Sequence, residues 1–370
     1  FQSVTLNAFG SGFSTTNSAT YSEVGLLSLD IQDVDYGFSG NTIAGDVINV
    51  GRFIPDHFDV AKDDGYFEHY CTDGTNSFSY IGQPFGYETL FLPELTITAK
   101  NSAGVTTQNY TETGYQKLVA SDINRTFPDK DTDNNGLDTI TKMAVVASEN
   151  EGNLPLPPTS SAGVMTYTFS NLDTITYLKN TNSLKAPFFI KYDITIDEIK
   201  DSDNVEGASL PIVSPQNGFL SFGRWNIEHT FGPETSDLTL PMALQYWTGS
   251  SFITNTIDSC TAFDGTTNTN YTLDNTDLTP AINPTTLTST SGAGIFASGL
   301  AQLLILKPTD GSQGKVRFTY DVTPQWLKYN WNGVDEGSDD LPYDDNPSAI
   351  ATFGLFRGND RIIYQREVHN

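Results

Sequence analysis

The sequence is poor in basic residues. Its 370 residues include 19 lysines and arginines against 45 aspartates and glutamates, which gives a formal net charge of −26. A nucleic-acid partner needs a basic face that offsets the phosphate charge, and an anionic membrane attracts basic segments in the same way. We therefore expect no nucleic-acid partner and no binding to anionic membranes.

The sequence also lacks a long hydrophobic run. A membrane-spanning helix needs about 20 predominantly apolar residues. The longest candidate, residues 295–306, is interrupted by Ser298, Gly299 and Gln302. We expect no membrane span. Because residue 1 opens directly into a strand-like pattern, we expect any signal peptide to have been removed or to lie outside this sequence.

Cysteine and histidine are scarce. The two cysteines, Cys71 and Cys260, stand in different halves of the chain and have no CxxC spacing, which excludes a disulfide-rich scaffold. They either form one disulfide in an oxidising compartment or remain two buried thiols. The four histidines are scattered, so we expect no multi-histidine zinc site.

What the sequence does contain is a recurrent alternation of apolar and polar residues. In residues 190–197 and 315–322 every second residue is apolar, which is typical of strands with one buried face. We predict an all-β protein of two or three antiparallel β-sandwich domains, Ig-like or jelly-roll-like, with little helix. We also expect Phe53 and Phe58 to be buried on either side of a compact turn at Pro55.

A polar segment that contains proline, residues 201–215, separates two strand-rich halves. We place the main domain boundary there, which gives an N-terminal sandwich region at residues 1–205 and a C-terminal sandwich at residues 206–370. Residues 1–49 are too few for a full sandwich. They either join the first domain or form a separate or truncated subdomain.

An acidic loop with the sequence DKDTDNNGLD is the clearest candidate metal site. Alternating oxygen ligands, with Gly136 allowing a sharp turn, are typical of calcium-binding loops. The candidate ligands for Ca²⁺ are Asp129, Asp131, Asp133, Asn135 and Asp138. The glutamate that usually ends such loops is replaced by Lys142, and the alternative is a solvated acidic loop. Weaker candidates are residues 201–204 and 335–345.

Catalytic motifs are missing. The sequence contains no GxSxG segment, and His57 has no serine or cysteine companion nearby. We expect that the protein is not an enzyme. A glycosidase needs only two well-placed carboxylates, so a polysaccharide hydrolase stays open as an alternative.

Several aromatic side chains in the second half offer a different chemistry, because aromatic rings can stack on sugars. The candidates for stacking on a ligand are Tyr246, Trp247, Trp326 and Trp331, with Tyr329 close by in sequence. Aromatic residues near strand ends more often belong to the core. These rings therefore either stack on a ligand or belong to the core.

Six longer segments carry a resemblance. They are GRFIPDHF (51–58), FSYIGQPF (78–85), LTITAKNSAGVTTQNY (95–110), FGRWNIEHTFGPE (222–234), LPMALQYWTGSSFITNTIDSCT (240–261) and ATFGLFRGNDRIIYQRE (351–367). Together they resemble the large C-terminal domain of MshQ-type proteins, which are encoded with the MSHA type IV pilus system. Two departures from the family pattern are Ile54, where an aromatic residue is usual, and residues 225–227, where Leu-Arg-Leu is usual.

The resemblance implies an exported protein at the cell surface or outside the cell, associated with type IV pili. It supplies no catalytic residues. The implied function is a non-enzymatic module that acts either in adhesion or as a structural element of a pilus tip or stalk. The expected partners are pilins, other pilus-associated modules or surface glycans. The alternative functions are a calcium-dependent carbohydrate-binding module and a polysaccharide hydrolase.

Overall fold

The chain folds almost entirely into β-strands. The computed structural model describes residues 7, 10–17, 19–36, 38, 40–72, 77–131, 143–156, 161–179, 184–267, 269–287, 290–331 and 343–355. These residues form strands and short 3-10 helices and contain no α-helix. The all-β prediction is confirmed. No helix within the described ranges is long and apolar enough to cross a membrane.

Fourteen strands precede residue 222. They are β1 (Gly25–Tyr36), β2 (Asn41–Phe53), β3 (His57–Asp63), β4 (Cys71–Thr72), β5 (Ser77–Tyr80), β6 (Glu94–Lys100), β7 (Ile123–Thr126), β8 (Val145–Ser148), β9 (Val164–Thr168), β10 (Thr174–Tyr177), β11 (Phe188–Phe189), β12 (Ile194–Ile199), β13 (Ile212–Val213) and β14 (Phe219–Ser221). The 3-10 helices in this part are Gln108–Thr111 and Ala120–Asp122.

Eleven strands follow. They are β15 (Gly223–Ile227), β16 (Thr230–Gly232), β17 (Leu238–Trp247), β18 (Phe252–Thr254), β19 (Ala262–Asp264), β20 (Tyr271–Asp274), β21 (Thr290–Ser291), β22 (Ala293–Ile295), β23 (Leu300–Ile305), β24 (Gly314–Tyr320) and β25 (Ser348–Phe353). The 3-10 helices here are Pro284–Thr286 and Gln325–Leu327.

Small sheets surround the core of the first half. β3, β6 and β9 form one antiparallel sheet, β7, β12 and β13 form a second, and β8 pairs with β10. β6 buries Leu95 and Ile97, and β12 buries Ile194 and Ile196 in the same core. Ile190 and Tyr192 are buried as well, so the alternation predicted for residues 190–197 is confirmed.

The second half is a β-sandwich. One sheet has the order β15–β17–β23–β21, with β18 paired to β17, and the other has the order β16–β25–β24–β20. Alternate residues of β24, among them Val316 and Phe318, are buried as predicted. They share a core with Leu240 and Met242 of the opposite sheet. β19 and β22 form a separate two-stranded sheet.

The expectation about the PDHF turn was right for one phenylalanine and wrong for the other. Phe58 is fully buried, whereas Phe53 is half-buried, with its ring 4.9 Å from that of Tyr21. Phe53 ends the ribbon of β1 and β2, which pair only with each other among the described strands. Phe53 is only half-buried because a side chain at the end of a two-stranded ribbon has fewer neighbours than a side chain inside a larger sheet.

The two halves share structure. The β4–β5 segment of the first half places Cys71, Phe78 and Tyr80 in the core of the second half. β5 also pairs with β14 in parallel. β12 and β13 pair across the boundary expected between residues 205 and 206. Whether residues 1–205 and 206–370 fold independently is a separate question from these contacts. The domain boundary between residues 205 and 206 stays a prediction.

Candidate functional site: an aromatic pocket beside the disulfide

An open pocket of about 450 Å³ lies where the β4 segment meets the second half. This volume is within the range of small-molecule sites, about 300 to 1,000 Å³. Its aromatic lining comes from both halves and comprises Tyr70, Trp225, Phe263, Tyr320 and Trp326. The polar side chains among the lining residues are Asp264, Asn270 and Thr323. No lysine, arginine or histidine is found among the described residues of the lining.

A disulfide bond between Cys71 and Cys260 holds one wall of the pocket in place. Cys260 lines the pocket, and Tyr70 directly precedes Cys71. The Tyr70 hydroxyl lies 3.2 Å from the hydroxyl of Thr261, and the Tyr70 backbone N–H donates to the Ser79 hydroxyl at 3.1 Å. The bridge therefore fixes a tyrosine of the first half against the second half.

The loop that carries Cys260 is organised by a buried carboxylate. Asp258 is fully buried, and it accepts hydrogen bonds from the backbone N–H groups of Cys260 and Thr261 at 3.1 and 3.0 Å. It also accepts a bond of 2.7 Å from the Tyr80 hydroxyl, which comes from the first half. Burial and the nearby Asp258 charge raise the pKa of Tyr80 well above its ordinary value. Tyr80 therefore stays neutral and remains a donor.

Two rings form a corner at the pocket. The Tyr70 and Trp326 ring centroids are 6.1 Å apart, with the ring planes at 76°. Trp225 is fully buried and stacks on Tyr320 at 4.9 Å. The indole N–H groups of Trp225 and Trp326 have no hydrogen-bond acceptor among the described residues. The pocket is thus shaped as a box of rings and not as a flat aromatic platform.

Asp264 supplies a fixed negative charge. Its carboxylate accepts bonds of 2.6 and 2.7 Å from the hydroxyls of Thr266 and Thr267, and one of 2.8 Å from the Thr266 backbone N–H. The Asn270 amide donates at 3.4 Å as well. The hydroxyl donors lower the pKa of Asp264 to about 2. The carboxylate is therefore ionised at physiological pH, and because its acceptor sites are largely occupied, it contributes to the pocket mainly through its negative charge.

The four aromatic residues predicted to stack on a ligand do not lie together. Trp326 lines the pocket, whereas Trp247 and Trp331 contact a separate aromatic cluster around Arg224, described next. Tyr246 and Trp247 are adjacent in β17 and so point to opposite faces of the strand. The structure thus assigns one of the four to the pocket.

In that separate cluster, the Arg224 guanidinium lies 3.6 Å from the Phe252 ring centroid and 4.8 Å from that of Trp331. The Trp247 ring lies 5.2 Å from Phe252. These rings already hold a cation supplied by the protein itself.

A second cleft, of about 350 Å³, is lined by Arg125 and Glu149. Arg125 is buried, and its Nη1 lies 3.1 Å from a carboxylate oxygen of the buried Asp173. Its Nη2 donates to the backbone oxygen of Asn150 at 2.6 Å, and its guanidinium lies 4.4 Å from the Phe169 ring centroid. The guanidinium in this cleft therefore has two carboxylate partners from the chain itself, Asp173 and, 3.3 Å from its Nε, Glu149.

The predicted calcium loop lies only partly within the described residues, which do not include Asp133, Asn135 and Asp138. Asp129 is exposed, and Asp131 is buried and accepts hydrogen bonds from the Tyr177 hydroxyl at 2.9 Å and the Lys191 backbone N–H at 3.2 Å. Across the described part of the chain, no group of three or more His, Cys, Asp or Glu side chains is arranged to hold a metal ion. Calcium binding stays a prediction.

The weaker metal candidate at residues 201–204 has a structural role. The buried Asp201 carboxylate accepts bonds from the Tyr110 hydroxyl at 2.5 Å and from the backbone N–H groups of Asp203 and Val205, both at 2.9 Å. It fixes the loop between β12 and β13. Residues 332–342, most of the third acidic candidate, lie outside the described residues.

Sequence reasoning missed Tyr70, Asp264 and Asn270. The one usable signal was the position of Tyr70 beside Cys71, because pairing of the two cysteines places Tyr70 near residues 260–264. Asp264 lies in a polar stretch, and no motif there distinguishes it from the residues of a solvated loop.

Two consecutive domain matches cover most of the chain. Residues 23–218 match the third domain of DUF6701, and residues 221–368 match its fourth domain. The chain belongs to the DUF6701 family. This is a family of unknown function, and no curated protein sequence matches the chain.

Solved structures with some likeness include two bacterial adhesins. InvE of Yersinia pseudotuberculosis aligns at 8% identity and a TM-score of 0.22, over 80% of this chain and 58% of that one. FdeC of Escherichia coli aligns at 10% identity and a TM-score of 0.21, over 77% of this chain and 66% of that one. The chain therefore spans less than two thirds of either adhesin. TM-scores this low do not establish a shared fold or a shared function.

Proposed function

We propose that this chain is a non-enzymatic extracellular module of a type IV pilus-associated protein, and that it acts in adhesion by binding a surface ligand in the aromatic pocket. The observation that carries the proposal is the pocket itself, with aromatic walls from both halves and a disulfide holding them together. The resemblance to MshQ-type proteins is the basis for the pilus association and for the export. A disulfide is in keeping with an oxidising compartment.

The acidic lining supports a binding role over a catalytic one. Glycoside hydrolysis generally uses two carboxyl groups that flank the scissile bond. Asp264 is the only carboxylate among the described residues that line the pocket, and its low pKa makes it unsuited to donate a proton as a general acid. A polysaccharide hydrolase is therefore the less favoured alternative.

A structural role in a tip or stalk is the second candidate, and the ribbon of β1 and β2 favours it. In β2 every residue except Val50 and Phe53 is exposed. On one face of the ribbon, Leu29 is paired with Val47, and both are exposed. Isolated two-stranded ribbons are marginally stable, so a neighbouring module or a pilin that covers this face would stabilise it.

The binding proposal is tested with the immobilised chain on a glycan array and on host cells. We expect Trp326→Ala to abolish binding and Phe231→Ala to leave it unchanged, since Phe231 is an exposed ring of β16 that does not line the pocket. Equal loss in both variants, or binding unaffected by Trp326→Ala, would contradict the proposal. Release of sugar products from a bound polysaccharide would favour the hydrolase.

Calcium is proposed to order the loop that contains Asp129, Asp131, Asp133, Asn135 and Asp138. Because an ion that binds only the folded state stabilises it, we expect a higher Tm in calcium than in EGTA. Asp133→Asn combined with Asp138→Asn should remove the difference. Identical Tm values for the unmodified chain in both buffers would eliminate this site.

A further inference from the structure

We infer that the aromatic pocket accepts a quaternary or alkylated ammonium group, enclosed by Tyr70 and Trp326 and balanced by the charge of Asp264. This inference rests on the proposed function and names the chemistry of its ligand. It concerns the cationic group alone, whatever larger molecule carries that group.

The shape of the pocket is the first step. A sugar ring stacks best on a flat, open aromatic face, whereas Tyr70 and Trp326 meet at 76°. A corner of this kind surrounds a compact, roughly spherical group. Alkylated ammonium ions have that shape, and aromatic cages are the usual way in which proteins bind them.

The charge of the pocket is the second step. The Asp264 carboxylate has no arginine, lysine or histidine beside it among the described lining residues. A cation gains from this charge and from the negative faces of the rings, while an anion is repelled. The net charge of −26 favours cations over anions further, through the field of the whole protein.

The chain places its own cations near aromatic rings elsewhere. Arg125 lies over Phe169 and is paired with Asp173, and Arg224 lies over Phe252. The pocket at Trp326 has the rings and the carboxylate, and its lining provides no cation from the described chain. A cation from outside would complete the same arrangement.

Choline and its uncharged isostere 3,3-dimethyl-1-butanol are the probes that test this inference. They have nearly the same shape and differ in the positive charge. In calorimetric titrations of the whole chain we expect choline to bind at least about tenfold more tightly than the alcohol, a difference of about 1.4 kcal/mol. Equal affinities for the two probes, or no choline binding, would overturn the inference.

A charge placed at the rim provides the matched variants. Thr323 is exposed and lines the pocket, so its replacement should not disturb the core. We expect Thr323→Lys to lower the ratio of choline affinity to alcohol affinity about fivefold or more, because the added charge repels choline alone. Thr323→Gln, similar in length but uncharged, should change the two affinities by the same factor and so leave their ratio unchanged. Equal effects of Lys and Gln on choline would contradict a role for charge.

The same variants separate this inference from the proposed function. If cell or glycan binding depends on Trp326 while choline does not bind, the pocket is an adhesion site for another kind of ligand, and only the ammonium inference fails. If choline binds as predicted while no surface binding depends on Trp326, the inference stands and the adhesion proposal fails.

Discussion

The two clefts of this protein use similar side chains in different ways. In the Arg125 cleft, a buried guanidinium is paired with Asp173 and lies 4.4 Å from the Phe169 ring centroid. In the pocket at Trp326, the rings and the Asp264 carboxylate are present, but the described lining supplies no cation. The cation of the first cleft is supplied and paired by the chain itself, whereas we propose that the cation of the second comes from a ligand.

The Arg125 cleft has the properties of a structural site, whereas the pocket at Trp326 is the proposed binding site. A buried ion pair, once both partners are present, resists replacement of either one, because the remaining charge would be desolvated and unpaired. The pocket at Trp326, in which Tyr70, Phe263 and Trp326 are partly exposed, has a single ionised carboxylate whose charge stays solvated. Removal of Arg125 or Asp173 should therefore affect folding, whereas removal of the partly exposed rings of Tyr70 or Trp326 should mainly affect binding. The disulfide beside the pocket should affect both.

The largest effect is expected for Cys71→Ser, which removes the disulfide that holds Tyr70 against the second half of the chain. The two cysteines are 189 positions apart. On the loop-entropy model, a bridge that closes a loop of this length stabilises the fold by up to ~5 kcal/mol. We expect a lower midpoint in urea unfolding and weaker choline binding, because Tyr70 is no longer fixed. Cys260→Ser should behave in the same way. Unchanged unfolding in both variants would show that the bridge does not stabilise the chain.

Arg125→Met should destabilise the fold by about 3–5 kcal/mol, because Asp173 is left buried without its partner. Adding Asp173→Leu should restore part of the loss. Choline affinity, measured where the variant is folded, should stay within about twofold of the unmodified chain. A loss of choline binding with intact folding would mean that the two clefts are coupled, and the comparison would fail.

Lys179 provides a third arrangement, in which a buried cation lies near aromatic rings and donates to backbone oxygens. Its ammonium lies 4.9 Å from the Phe222 ring centroid and donates to the backbone oxygens of Gly223 and Lys328 at 3.1 and 2.9 Å. Burial lowers the pKa of Lys179 from 10.5 to about 7. Desolvation therefore disfavours the charged form of Lys179.

The pH dependence of stability follows from this shift. Between pH 7 and 9 the unfolded chain holds the Lys179 proton while the folded chain releases it, so the free energy of unfolding rises with pH. The slope should be at most about 1.4 kcal/mol per pH unit. Urea unfolding of the unmodified chain and of Lys179→Met at pH 7, 8 and 9 measures it, and the variant should show a flatter profile. Equal slopes would mean that Lys179 keeps its proton in the folded state.

The fold was predictable from the sequence where one face of a strand is buried. The alternation in β24 identified Val316 and Phe318 as core residues, because period 2 reports directly on burial. The same alternation occurs at Leu29 and Ile31 of β1, yet both are exposed. Periodicity indicates a face suited to burial, but it does not indicate whether a neighbouring element covers that face.

The pocket was less predictable, because it depends on contacts between distant segments. Tyr70 and Asp264 line the same pocket because Cys71 pairs with Cys260 and the β4–β5 segment packs on the second sandwich. Composition likewise could not distinguish Trp326, in the pocket, from Trp331, beside Arg224. Which tryptophan faces a ligand is decided by tertiary packing.

The most direct test of the central claim uses the four tryptophans as reporters. The indole N–H resonances of a ¹⁵N-labelled chain are assigned with single Trp→Phe variants and followed during titration with choline. Binding in the pocket predicts saturable shifts for Trp326 and Trp225, which line it, and none for Trp247 and Trp331, which contact the Arg224 cluster. Shifts confined to Trp247 and Trp331, or no shifts at saturating choline, would contradict the assignment of the pocket at Trp326 as the binding site.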